Sequence, residues 1–105
     1  MLEYTEGYHT YYIYILTNTY RTTLYIGVTN CLKRRLWEHI ESISTNASKS
    51  FVSRYKLSDL VYYEKFVWVQ EAIAREKELK KWSRSKKNGL ICSFNPTFES
   101  LNHHF

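Results

Sequence analysis

Two short runs near the start of the chain, YYIYIL at 11–16 and LYIGV at 24–28, constrain the fold more than any other feature. Both are rich in residues that suit pleated backbone, and the polar stretch Thr17 to Thr23 between them predicts an antiparallel hairpin. Side-chain alternation puts Ile13, Ile15, Leu24, Ile26 and Val28 on one face and Tyr12, Tyr14, Tyr25 and Gly27 on the other. One face is aliphatic; the other carries tyrosines.

The rest of the chain reads as helices and one more strand. Leu32, Leu36, Ile40 and Ile43 recur as a single apolar stripe, predicting a helix to about Ile43 with Asn30 as its N-cap. STNASKS at 44–50 reads as a mobile loop, FVSRYKLSD as holding a helical turn, and LVYYEKFV at 60–67 as the third strand. WVQEAIAREKELKKW has helical periodicity, Ser83 is placed to cap a further helix from Arg84 to about Ile91, and Asn95-Pro96 ends the regular structure. At 105 residues, 44% hydrophobic and with three Gly and one Pro, the chain is too apolar and too poor in breakers to be disordered. The expected architecture is α/β in the broad sense, more narrowly α+β: a small three-stranded, mainly antiparallel sheet flanked by helices, in one domain over 1–105 with its core at 11–101.

The net charge of +5 makes a polyanion a better partner than a basic one. From Arg75 to Lys87 there are seven basic and two acidic residues, a net +5 that equals the excess of the whole chain. Such a stripe suits a phosphate rail and equally a solvated helix face. Cys31 and Cys92 lack CxxC spacing and read as reduced thiols in a cytoplasm. Glu3 and Glu6 precede the first apolar run, which is unlike a signal peptide and too short to span a membrane.

Two helical positions break the local pattern. With Ala72 at zero and a turn of about 100° per residue, Glu76 falls near 40°, inside a stripe made by Val69, Ile73 and Leu79, whereas Glu71 and Glu78 fall among solvated charges. A carboxylate there needs a cation, a metal or strong donors, and a structural ion pair is the plainer alternative. On the first helix Arg35 and His39 border the Leu32/Leu36/Ile40 stripe on one flank, one turn apart, while Lys33 and Arg34 point elsewhere to solvent or phosphate.

Taken in order, Tyr12-Ile13-Tyr14, Tyr25-Ile26-Gly27, GVTNCLKRRLWEH and EAIAREKELKKW resemble the GIY-YIG nuclease domain, most closely its small single-domain bacterial branch. Tyr12 stands where the family name has Gly. The resemblance puts the family's essential arginine on Arg35, its His-or-Tyr position on His39, its metal-ligating glutamate on Glu76 and its terminal asparagine on Asn95 within FNPTFESL, with Asn88 a weaker competitor. It implies metal-dependent endonucleolytic hydrolysis of phosphodiesters, with Tyr14, Tyr25, Arg35, His39, Glu76 and Asn95 as the catalytic set.

On that reading Glu76 holds one divalent ion, Mg²⁺ or Mn²⁺, with waters and substrate oxygens completing the shell. Tyr14 takes a proton from the attacking water, Tyr25 positions water or phosphate, and His39 supports the proton network. Arg35 offers a forked donor to the phosphate oxygens. The expected partner is nucleic acid, DNA first, met by Gly27, Lys33 and Arg34 on one side and by Lys80, Lys81, Arg84, Lys86 and Lys87 on the other. The expected site of action is cytoplasmic, with no membrane involvement and with structure-directed or weak sequence specificity. Two rival functions stay open: a nucleic-acid-binding module that no longer cuts, and a protein-interaction adaptor using Trp37, Trp68 and Trp82 if these are exposed.

Overall fold

A computed structural model of the chain describes residues 10–45 and 54–105. The hairpin forms as the alternation requires. β1 (Tyr11–Thr17) pairs antiparallel with β2 (Leu24–Thr29), setting Tyr14 opposite Gly27 and Ile15 opposite Ile26. β3 (Asp59–Phe66) pairs antiparallel with the other edge of β1, setting Tyr14 opposite Tyr63, with an irregularity between Ile15 and Leu16. The order β2-β1-β3 leaves β2 as an edge strand. The fold is α+β: this three-stranded antiparallel sheet with three helices among the described residues.

The two faces of β1 nucleate two cores. Tyr12, Tyr14 and Leu16 pack with Leu32, Leu36, Leu57 and Leu60 under α1 (Leu32–Thr45). Ile13 and Ile15 pack with Ile26, Val61, Ala72, Leu79 and Ile91 under α2 (Val69–Lys80) and α3 (Arg84–Phe94). Each fully buried aliphatic side chain is worth about 1.5–3 kcal/mol, so the central strand, covered on both sides, anchors the sheet.

Several boundaries move from their expected places. The Cys31 carbonyl, not that of Asn30, accepts the first helical bond of α1, from the Arg35 N–H at 3.0 Å. Asn30 instead accepts a hydrogen bond from Arg34 at 3.2 Å. The helix runs to Thr45, so Ser44 and Thr45 are helical; the remainder of the expected 44–50 loop lies outside the described residues, as do 51–53 of the expected helical turn. Val67 and Trp68 form a bend, ending β3 at Phe66. Ser83 caps α3 as expected, accepting the Lys86 N–H at 3.1 Å. α3 continues past Ile91 because the Asn95 N–H still reaches the Ile91 carbonyl at 2.7 Å.

Cys31 and Cys92 are free thiols. No helix among the described residues is long and apolar enough to cross a membrane.

Candidate active site

Tyr14 is the centre of the site, 1% exposed and laid across the glycine opposite it. A Cβ added at Gly27 would stand 2.6 Å from the Tyr14 hydroxyl oxygen and 2.7 Å from the ring carbon that bears it. Any other residue would push the ring away. Gly27 therefore provides clearance for the phenol, and the ring covers it on this face.

α1 brings Arg35 and His39 over the same phenol because residues four apart share a helix flank. The Tyr14 hydroxyl lies 3.2 Å from His39 Nε2. The ring centroids of Tyr14 and Tyr25 are 6.2 Å apart, and each lies 6.1 Å from that of His39. Burial, then the neighbouring Tyr25, pushes the Tyr14 phenol above the usual tyrosine range; Arg35 works against this and the Glu76 charge adds to it. Burial, then the Arg35 charge, holds His39 below the usual histidine range, with Glu38 opposing. The imidazole is thus neutral at pH 7, and with its ring hydrogen on Nδ1 its Nε2 accepts from Tyr14.

Arg35 is incompletely satisfied. Its Nε is 3.2 Å from a Glu38 carboxylate oxygen, but the N–H is not aimed there, and this buried group makes no hydrogen bond. Such an unspent donor is uncommon inside a fold and suits an anionic ligand.

Glu76 stands in the other layer. Its helix packs against β1 and β2 on the aliphatic face, so the acid does not project from the tyrosine face. Tyr14 crosses Gly27 in the edge strand, and the Glu76 charge is the smallest of the influences on the phenol. The expected apolar surroundings are also corrected. Ala72 and Leu79 are fully buried, but Ile73 is 38% exposed, so Glu76, 20% exposed, borders the stripe. Its partner is Lys80, whose Nζ is 3.0 Å away. Among the described residues no three His, Cys, Asp or Glu side chains gather as a metal cage. A lone carboxylate with waters and substrate oxygens is the arrangement open here to a hard cation.

Asn95 stands apart from this cluster. It is 4% exposed, and its amide donates to the Val61 carbonyl at 3.1 Å and the Glu99 carbonyl at 2.8 Å while accepting the Glu99 N–H at 3.3 Å. Both amide protons are spent within the fold, which gives it a structural role. Asn88, its competitor, accepts from Arg84 at 3.0 Å.

The basic stripe is not a uniform rail. Arg84 donates to the carbonyls of Thr22 and Arg21 at 2.9 and 2.8 Å, tying α3 to the hairpin loop. Lys86 sits 4.2 Å from the Trp82 ring centre, and Lys80 is paired with Glu76. Lys33, Arg34 and Lys81 are exposed, Arg34 beside Glu38 at 3.8 Å, and Lys87 is half-buried. Trp37 and Trp68 are exposed, whereas Trp82 is half-buried beneath Arg75 and Lys86. Sequence reasoning did not reach Glu38 and Lys80 as partners of the site residues; their i, i+3 and i, i+4 spacings are the signal that marks them.

The geometry agrees with what the chain is similar to. The model described as the GIY-YIG catalytic domain matches residues 10–88, and the chain belongs to the GIY-YIG family, a nuclease family. Asn95 lies beyond that match. A UPF0213 protein from Bacillus pumilus (strain SAFR-032) is 31% identical over 83 residues, covering 79% of this chain and 80% of the relative. No solved structure matches the chain significantly.

Proposed function

We propose that the protein is a divalent-metal-dependent endonuclease that hydrolyses phosphodiester bonds in DNA, directed by structure or with little sequence specificity. The observation that carries this reading is the Tyr14–His39–Arg35 cluster: a buried phenol against His39 Nε2, beside a guanidinium whose buried Nε–H makes no hydrogen bond. The donor set suits Mg²⁺ or Mn²⁺, which keep most of their waters and ask for one or two carboxylates plus phosphate oxygens. Glu76 would hold the ion, exchanging its Lys80 partner for it. When bound, the ion supplies charge neutralisation at the leaving oxygen.

The remaining steps belong to the chain's own groups. A raised phenol is scarcely ionised at neutral pH, so Tyr14 acts as a relay: it accepts the proton of the attacking water as its own proton passes to His39 Nε2. The water oxygen bonds to phosphorus while the bond to the leaving oxygen breaks. Tyr25, half-buried against both rings, orients the water or the phosphate. Arg35 receives the charge that develops on the nonbridging oxygens. Lys33, Arg34, Lys81 and Lys87 supply salt-sensitive contacts to the backbone. The free thiols fit a reducing compartment, and the reading puts the activity in the cytoplasm.

The Glu76–Lys80 pair favours a second reading, a binding module that does not cut, because it satisfies the carboxylate without metal. Digestion of duplex, single-stranded, flapped and branched DNA beside RNA, with Mg²⁺, Mn²⁺ or chelator, separates the two. Cleavage only with metal supports the nuclease. A salt-sensitive shift with no product at any metal concentration supports the module.

A further inference from the structure

At the far end of the β1–β2 hairpin lies a cavity of about 220 Å³ that the reaction does not use, lined by Asn18, Thr19, Tyr20, Tyr55 and Lys56. Tyr20 is 83% exposed, and Tyr55 and Lys56 are exposed as well. Exposed rings alone say little; the turn that presents Tyr20 says more. Asn18 Oδ1 accepts the backbone N–H groups of Thr22 and Thr23 at 2.8 and 3.3 Å. Arg21 donates to the carbonyls of Asn18 and Phe98 at 2.8 and 2.9 Å and to Asp59 at 2.6 Å, and Arg84 clamps the turn from α3. The three non-glycine residues with positive φ among those described, Arg21, Lys56 and Phe98, all belong to this corner. The left-handed backbone is unfavourable for such residues, and at Arg21 and Phe98 the hydrogen bonds of the clamp hold it.

The result is a rigid perch carrying one aromatic ring beside a second ring and a cation. An apolar cavity of about 150 Å³ already accommodates benzene, so this one has room for a flat heteroaromatic ring. Rigid aromatic groups bind bases with little ordering cost, and stacking tolerates any base. Leu57, which follows Lys56, is buried in the same cluster as Tyr14, so the segment carrying Tyr55 and Lys56 joins the layer of the tyrosine face. Four residue steps along the chain separate Asn18 from Tyr14, about 13 Å at the rise of a strand, or roughly four stacked base steps.

We propose that this cavity receives one unpaired nucleobase of the bound strand, against the rings of Tyr20 and Tyr55 and with Lys56 facing the adjoining phosphate. The proposal rests on the nucleic-acid reading and names its substrate class: DNA carrying an unpaired or extrudable base. The test uses the full chain with Glu76→Gln to prevent cutting. Two DNAs are compared by fluorescence anisotropy: a fully paired duplex and the same duplex with one unpaired fluorescent base analogue whose emission falls on stacking. Tyr20→Ala and Tyr55→Ala should each weaken binding of the second DNA about 5- to 100-fold, leave the paired duplex unchanged and abolish the quenching. Tyr20→Phe should retain both affinity and quenching. If the Glu76→Gln parent binds neither DNA, this proposal and the nucleic-acid reading fall together. If it binds both and the alanine variants bind and quench as it does, the cavity proposal alone is overturned.

Discussion

The molecule contains two clusters built from the same side-chain types, a tyrosine, an arginine and a glutamate, and they end in opposite states. On the aliphatic face Arg75 donates through Nε and Nη2 to Glu64 at 3.1 and 3.0 Å and through Nη1 to Glu78 at 3.0 Å, with its guanidinium 5.3 Å from the Trp82 ring centre. Tyr62 completes the set by donating its hydroxyl to Glu64. On the tyrosine face Tyr14 meets His39, and Arg35 keeps a buried N–H without a hydrogen bond. Both phenols are held above the usual range, chiefly by burial, so burial does not distinguish them. What distinguishes them is closure: the first network satisfies its donors by hydrogen bonds within the protein, and the second leaves one buried Arg35 N–H beside Glu38 without a hydrogen bond.

This contrast is broken most sharply by exchanging which arginine is lost. Arg35→Ala should lower single-turnover cleavage about 10²- to 10³-fold with little change in melting temperature. Arg75→Ala should leave the rate of the folded enzyme near normal. It strands Glu64 and Tyr62 and should cost about 1–3 kcal/mol of stability, discounted from a fully buried pair because both partners are partly solvated. Calorimetry beside kinetics checks both, and equal rate losses for the two variants would dissolve the distinction.

Gly27→Ala probes the clearance under Tyr14. The added methyl would overlap the phenol, so the ring must leave His39 or the strand must shift, at about 1–3 kcal/mol and with most of the activity lost. A structure of the variant with the Tyr14–His39 contact intact would contradict this account of the glycine.

Asn95→Ala should behave like a member of the closed cluster. Two carbonyls and one N–H lose a partner, a cost of about 1–3 kcal/mol read from urea midpoints, and cleavage below the melting temperature should be retained. A rate loss without a stability loss would return this residue to catalysis.

The smallest effect is on pH. His39 titrates below its ordinary 6.5 in the folded chain, so as pH falls the unfolded chain takes up this proton first. The stability due to the neutral imidazole is present above about 6.5 and is lost as pH drops through the folded value. His39→Gln should flatten that part of the stability profile, and an unchanged slope would mean that the imidazole is not held neutral.

The parts of this arrangement legible in the sequence are those set by local periodicity. Alternation along 11–16 and 24–28 sorts the tyrosines from the isoleucines, and helical spacing pairs Arg35 with His39. The identity of Ser83 as a cap follows from its place before a helical run. What depends on distant partners was not legible. Arg84 is spent on carbonyls 62 and 63 residues away, and Asn95 on one 34 residues away, which neither counting charges nor matching an Asn-Pro reveals. The sequence places Glu76 inside an apolar stripe, but its surroundings depend on how α2 sits over the sheet, which leaves Ile73 outside the core.

The central claim is that the open cluster hydrolyses phosphodiesters with a divalent ion held at Glu76. Its most direct test is a Mn²⁺ titration of DNA cleavage by the natural chain and by Glu76→Ala, purified identically and equally folded by circular dichroism. The account predicts saturable, metal-dependent product from the natural chain and a loss of about 10³-fold or more in the variant. Equal cleavage by both proteins, or none by either at any metal concentration, would contradict it.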